Sequence, residues 1–222
     1  MDRRAFISWH ARAGMGLLVP AGLGLAGGMA GNRVGTNVAA GAGEQGDLYA
    51  AAWALLRDWG EGLLQWRVND PLLKGVYGGL LCPACAMVHG RSGDAIYPLL
   101  LLADRTRDER YLTAALTLYD WMEGAVSCPD GSWTNEINVS DWKGITAFGA
   151  TALAESLLHF GHLLEAPVKA RWMERLHKAG TFIHDTFTID TGNINYPAAG
   201  SYALTLIGGM LGERHFADKG AA

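Results

Sequence analysis

Thirteen consecutive residues, Cys82-Pro-Ala-Cys85-Ala-Met-Val-His89-Gly-Arg91-Ser-Gly-Asp94, gather two thiols, an imidazole, a guanidinium and a carboxylate. Thiolate and imidazole are ligands for zinc, and Cys-x-x-Cys with a histidine four residues on has metal-loop spacing. Guanidinium matches the planar geometry of a carboxylate. The apolar run Ala95-Ile-Tyr-Pro-Leu-Leu-Leu-Leu-Ala103 follows at once. The reactive groups therefore stand at the mouth of a helix that must be buried, which shapes a pocket rather than a solvated surface. An enzyme is the leading reading.

Two further stretches hold matching groups. One is Gly131-Ser-Trp133-Thr-Asn135-Glu-Ile-Asn138-Val-Ser-Asp-Trp142-Lys143-Gly; the other is Asn193-Ile-Asn195-Tyr196-Pro, with Tyr202 beyond it. β-Elimination next to a uronic acid needs a group that neutralises the sugar carboxylate, a base for the C5 proton and an acid for the leaving oxygen. Arg91, Asn135 and Asn138 suit the first task; His89, Tyr196 or Tyr202 suit the proton transfers. Trp133 and Trp142 offer flat faces for pyranose rings, Lys143 adds positive charge, and Asp94 and Asn195 complete the set expected to touch substrate. Plainer roles compete. Arg91 and Asp94 have the spacing of a structural ion pair, Ser92 that of a helix cap, and His89 beside Gly90 that of a turn. Tryptophans are as suited to a core as to a sugar platform. A glycoside hydrolase would instead use Asp94, Glu136 or Asp141 as acid and base, and a helical-repeat module could bind glycans without cleaving them.

The cysteines have three possible fates. Cys82, Cys85 and Cys128 could join His89 in a Cys3His zinc site. Two of them could form a disulfide outside the cytoplasm, or all three could be small buried residues. Zinc is thus a possible cofactor, though elimination does not require one. A zinc on His89 would remove it as a base.

The scaffold that must position these groups reads as all-α. Apolar residues recur at steps of three and four in Asp47–Val68 (Leu48, Ala52, Leu55, Trp59, Leu63, Trp66). The same spacing links Tyr111, Ala115, Tyr119 and Met122, then Ile145, Phe148, Ala152, Leu157, Phe160 and Leu164. Val168, Trp172, Leu176, Ala179 and Ile183 form another stripe, opened by Pro167. Thr186–Thr191 is the nearest thing to a strand. Leu101–Tyr111 is echoed at Leu206–Phe216, with Leu157–Leu164 midway, which predicts a helical hairpin roughly every 52 residues. Stacked hairpins make solenoids and toroids. The long connections Ser127–Gly144 and Thr188–Gly200 share one place in the repeat with Cys82–Asp94, so all three loops should open at one end of the array. The pattern predicts six or so helices, an incomplete (α/α) toroid over residues 43–222 that breaks off within an outer helix.

Residues 1–42 read as an export leader. Arg3-Arg4 precede Phe6-Ile7, and the Gly-rich apolar run Ala13–Met29 carries no acidic residue. This resembles a twin-arginine signal, cleaved near Ala40 and Ala42 or near Gly28 and Ala30, whose partner is the twin-arginine export machinery; a retained membrane anchor is the competing reading. The mature protein would be periplasmic or secreted, with no stable membrane span. Removing the leader takes four arginines and Asp2 from 18 basic and 22 acidic residues, so the net charge moves from −4 to −7. An acidic exterior argues against nucleic acid as a partner, yet leaves room for a small basic cleft that takes an acidic polysaccharide.

From about Tyr77 to Leu206, on the three loop stretches quoted above, the chain resembles the amino-terminal half of exported (α/α)-toroid enzymes that degrade acidic polysaccharides. These are the heparinase-like and alginate-lyase-like lyases and the unsaturated-uronyl hydrolases. The resemblance implies a toroid fold and cleavage of an acidic polysaccharide or oligosaccharide. It brings no catalytic tetrad across residue by residue.

Overall fold

The structure is a computed structural model that describes residues 41–138 and 140–222. The expected leader lies outside them, apart from its last two positions. Ala51–Ala222 form one compact unit, which carries every candidate site residue.

Seven α-helices are described: α1 (Gly41–Trp66), α2 (Ile96–Thr106), α3 (Glu109–Ala125), α4 (Thr146–Phe160), α5 (Ala166–Thr186), α6 (Asn195–Leu211) and α7 (Arg214–Ala221). A 3-10 segment, Gly90–Ala95, leads into α2. Among the described residues extended pairing is confined to three isolated bridges, Arg67 with Leu80, Leu81 with Val88, and Ser127 with Trp133. Thr188–Thr191 forms a turn rather than a strand. The all-α expectation holds.

Helices α2, α4 and α6 pack on one another in succession, and α3, α5 and α7 each fold back on the helix before them. Such alternation of an inner and an outer row is the arrangement of an (α/α) toroid. The inner helices start at residues 96, 146 and 195, so the repeat steps by 50 and 49 residues, close to the expected interval. Their composition explains the inner position. Gly149, Ala150 and Ala154 on α4 and Gly200, Ala203 and Gly208 on α6 are buried small residues that let neighbouring backbones close up. The outer α5 is amphipathic and buries Trp172, Leu176, Ala179 and Ile183 completely. Leu176 and Ile183 each contribute about 1.5–3 kcal/mol of burial free energy. Asp108 caps α3, its carboxylate accepting from the Arg110 amide.

Two expectations need correction. Of the expected α1 stripe only Leu63 packs on the core: Leu48, Leu55, Trp59 and Trp66 are exposed, and Trp53, Leu56 and Leu64 take the buried positions instead. The helix offers two apolar stripes, and periodicity cannot choose between them. What fixes the rotation is Glu61, which accepts from Tyr111 Oη at 2.8 Å and from Arg110 at 2.9 Å. The third loop is also shorter than expected, because α6 begins at Asn195. Pro197 falls in the first helical turn, where a missing amide hydrogen costs nothing; Pro197 opens the helix rather than excluding it.

Candidate functional site

The first two loops are sewn together at Gly90, whose amide donates to Asn135 O at 2.7 Å. A Cβ there would lie 2.1 Å from Thr134 O, so only glycine allows the approach. His89 sits beside this seam. Its Nδ1 lies 2.8 Å from Glu136 Oε1, and its Nε2 lies 2.9 Å from Cys85 Sγ. Asn135 Nδ2 donates to the same Glu136 oxygen at 3.0 Å, and Asp141 accepts the Glu136 amide at 2.6 Å. Glu136 is the hub of this network. Sequence reasoning gave it only a hydrolase role, although its place between Asn135 and the loop turn was a usable signal.

Arg91 reaches away from the seam toward the inner helices. Its Nε donates to Asp94 at 2.7 Å, and its guanidinium lies 4.0 Å from the centre of the Phe148 ring on α4. Phe148 stands edge-on to Tyr196 at 5.4 Å, and Tyr196 edge-on to Trp142 at 5.2 Å. Trp142 returns to the seam, its carbonyl accepting from the Asn135 amide at 3.1 Å. The three loops thus meet through an unbroken chain of contacts: Arg91, Phe148, Tyr196, Trp142, Asn135. All three open at one rim.

An open groove of about 490 Å3 runs from this rim along α2, α4 and α6, lined by Asp94, Tyr97, Phe148, Thr151, Glu155 and Tyr202 among others. Burial in the groove raises the Asp94 carboxyl above its ordinary value, against the lowering effect of Arg91. Tyr202 Oη donates to Glu155, and that bond holds its phenol protonated beyond the usual range. A second concavity of about 600 Å3 lies between Ser140–Gly144, Trp142 included, and the end of α5. The groove is the better candidate because it holds Asp94 and Tyr202 and adjoins Arg91. In the other concavity, Lys143 is tied to Asp130 at 2.7 Å.

Other expected site residues fall elsewhere. Trp133 is 1 % exposed and cannot meet a sugar: its indole donates to Glu123, and the Arg175 guanidinium stacks 3.7 Å from its ring centre. Asn138 is exposed and spends its side-chain oxygen on the Ser140 amide. Asn195 lies exposed on the first turn of α6. Cys128 is buried and stands apart from the metal-ligand group formed by Cys82, Cys85 and His89. The expected Cys3His set is therefore not assembled, because Cys128 is buried at the base of the second loop, bonded to Ser132 and Gly131. All three cysteines are free thiols. Backbone amides of Cys85 and Ala84 aimed at Cys82 lower its thiol pKa. Arg175, unremarked in sequence, is 3 % exposed; it bonds Glu123 at 2.8 Å and the carbonyls of Gly131 and Ser132 at 2.8 and 3.1 Å. It is the pin that holds the second loop.

Residues 56–222 match the family described as the ulvan lyase N-terminal domain. The chain belongs to that family. A broad-specificity ulvan lyase of Formosa agariphila is 46% identical over 165 residues, which cover 74% of this chain. The chain spans about a quarter of that relative's length, the matched part being 26% of it. A solved polysaccharide lyase overlays 75% of this chain and 34% of its own at 11% identity, with a TM-score of 0.41, too loose a likeness to carry weight. No helix among the described residues is long and apolar enough to cross a membrane.

Proposed function

We propose that this chain forms part of the cleft of a polysaccharide lyase that cleaves an acidic polysaccharide such as ulvan by β-elimination beside a uronic acid. The observation that supports it best is the convergence of Arg91, Asn135, Trp142 and Tyr196 at the mouth of the inner groove, in a chain of ulvan lyase family sequence. Arg91 and Asn135 neutralise the uronate carboxylate, which acidifies the C5 proton. Removal of that proton and protonation of the leaving O4 break the C4–O4 bond and create a C4=C5 double bond. Tyr196 stands at the rim for the proton transfers, and Tyr202, held protonated by Glu155, is a donor within the groove. His89 has both ring nitrogens engaged and is assigned to positioning rather than to the base role. Trp142, 43% exposed, offers a ring face to a sugar, while Asp94 orients Arg91.

Incubating the whole protein with ulvan and other uronate polymers should produce the ultraviolet absorbance of the conjugated double bond. New reducing ends without that absorbance would favour hydrolysis and overturn the proposal. Arg91→Ala and Tyr196→Phe should each slow the reaction by about 100-fold or more, as loss of an oxyanion-stabilising or proton-transferring group does. Export by the twin-arginine route is part of the same proposal, supported by Arg3-Arg4 and the soft apolar run behind them. Replacing both arginines by lysine should leave the protein in the cytoplasm; unchanged export would refute that route.

A further inference from the structure

Cys82, Cys85 and His89 do no work in the elimination chemistry, yet their ligand atoms all lie within 4.8 Å of one another. The local backbone is built to hold them there. Leu81 and Val88 pair across the loop, and the Cys82 amide donates to Met87 O at 2.7 Å, closing a tight hairpin. The Ala86 amide donates to Cys82 O at 2.8 Å, and Ala86 takes a φ of 57°, a left-handed conformation that costs a residue bearing a Cβ about 1–2 kcal/mol. That turn keeps the Cys82 and Cys85 sulfurs within reach of one another and of His89. The imidazole is held as well. Its Nε2 faces the Cys85 sulfur while Nδ1 is held by Glu136, the carboxylate–histidine pairing that fixes a metal-binding ring. Glu136 Oε2 is buried without a hydrogen-bond partner, while Oε1 takes both His89 and Asn135.

We propose that Cys82, Cys85 and His89 form a zinc site in which Glu136 orients His89, so that the metal locks the first loop to the second. Binding releases the two thiol protons to solvent and leaves His89 neutral, with Nδ1–H donating to Glu136 and the Nε2 lone pair on the metal. Three protein ligands leave a fourth coordination position open, beside the exposed Cys85. The site is about positioning and stands whether or not the cleft cleaves by elimination.

The test uses the full chain, purified reduced and metal-free, with Zn2+ and then Co2+ as probes. About one Zn2+ per chain should bind, and Co2+ should give thiolate-to-metal charge-transfer absorption with intense tetrahedral d–d bands. Cys82→Ser and Cys85→Ser should abolish those bands while circular dichroism still shows the wild-type helix content. Cys128→Ser should leave them intact. Glu136→Gln should weaken zinc affinity by about 10–100-fold without changing the ligand set. Folded wild-type protein that gives no thiolate–cobalt absorption overturns the proposal. So does metal uptake that survives the double replacement of Cys82 and Cys85, or a Cys82–Cys85 disulfide in protein recovered from outside the cytoplasm.

Discussion

The first and second loops meet at the same rim but are held there by different physics. The second, residues 127–144, is anchored from below: Trp133 and Thr134 are 1% exposed, Ser132 is fully buried, and the buried Arg175 ties its carbonyls to Glu123. The first, residues 82–94, has Pro83–Met87 exposed, and past its bridge and turn bonds its side chains meet at a sulfur–imidazole–carboxylate cluster. One loop is part of the core. The other is organised around ligand atoms. A rim made this way has one wall set in the core and one wall that is largely exposed.

The largest effect that would break this contrast comes from the fixed wall. Arg175→Ala leaves Glu123 and two loop carbonyls without their cation and should cost about 3–5 kcal/mol in urea unfolding. A loss under about 1 kcal/mol would mean that the loop holds itself. Gly90→Ala comes next. Pushing a Cβ into Thr134 O should part the loops at a cost of about 1–3 kcal/mol, and should weaken uronate binding more than any change under Trp133.

Chelation sharpens the comparison from the other side. Removing metal should speed amide exchange across 82–90 and leave 127–134 unchanged; equal acceleration in both would erase the distinction. The smallest effect is at Asp130. Burial raises its carboxyl, but hydrogen bonds from Lys143 and Ser132 outweigh that and hold it at about 2, below the ordinary 3.8. Its contribution is therefore complete above pH 3.8 and is lost as pH falls through about 2. Because this pair is largely exposed, Asp130→Asn should cost no more than about 1 kcal/mol at neutral pH. The gap from wild type should narrow on acidification and with added salt.

Much of the fold was legible because burial imposes period. Tyr111, Ala115, Tyr119 and Met122 all lie in the core as their spacing required, and the hairpin interval foretold the inner row. Where two stripes competed, on α1, the deciding bonds ran from Glu61 to residues about 50 positions away, beyond the reach of local pattern. The site was legible as loops rather than as atoms. Residue type marked Arg91, Asn135, Tyr196 and Trp142 for the rim, but it could not tell the exposed Trp142 from the buried Trp133, since both sit in polar loop sequence. Nor could it separate Cys128 from Cys82 and Cys85, because only folding buries Cys128 at the base of the second loop.

The most direct measurement is amide hydrogen exchange of the intact protein with and without an unsaturated-end uronate oligosaccharide. If one cleft is shared by three loops, protection rises together over residues 90–94, 135–143 and 195–202 and stays flat on the outer helices α3 and α5. Protection confined to one of those segments, or centred on the outer helices, would contradict the shared cleft.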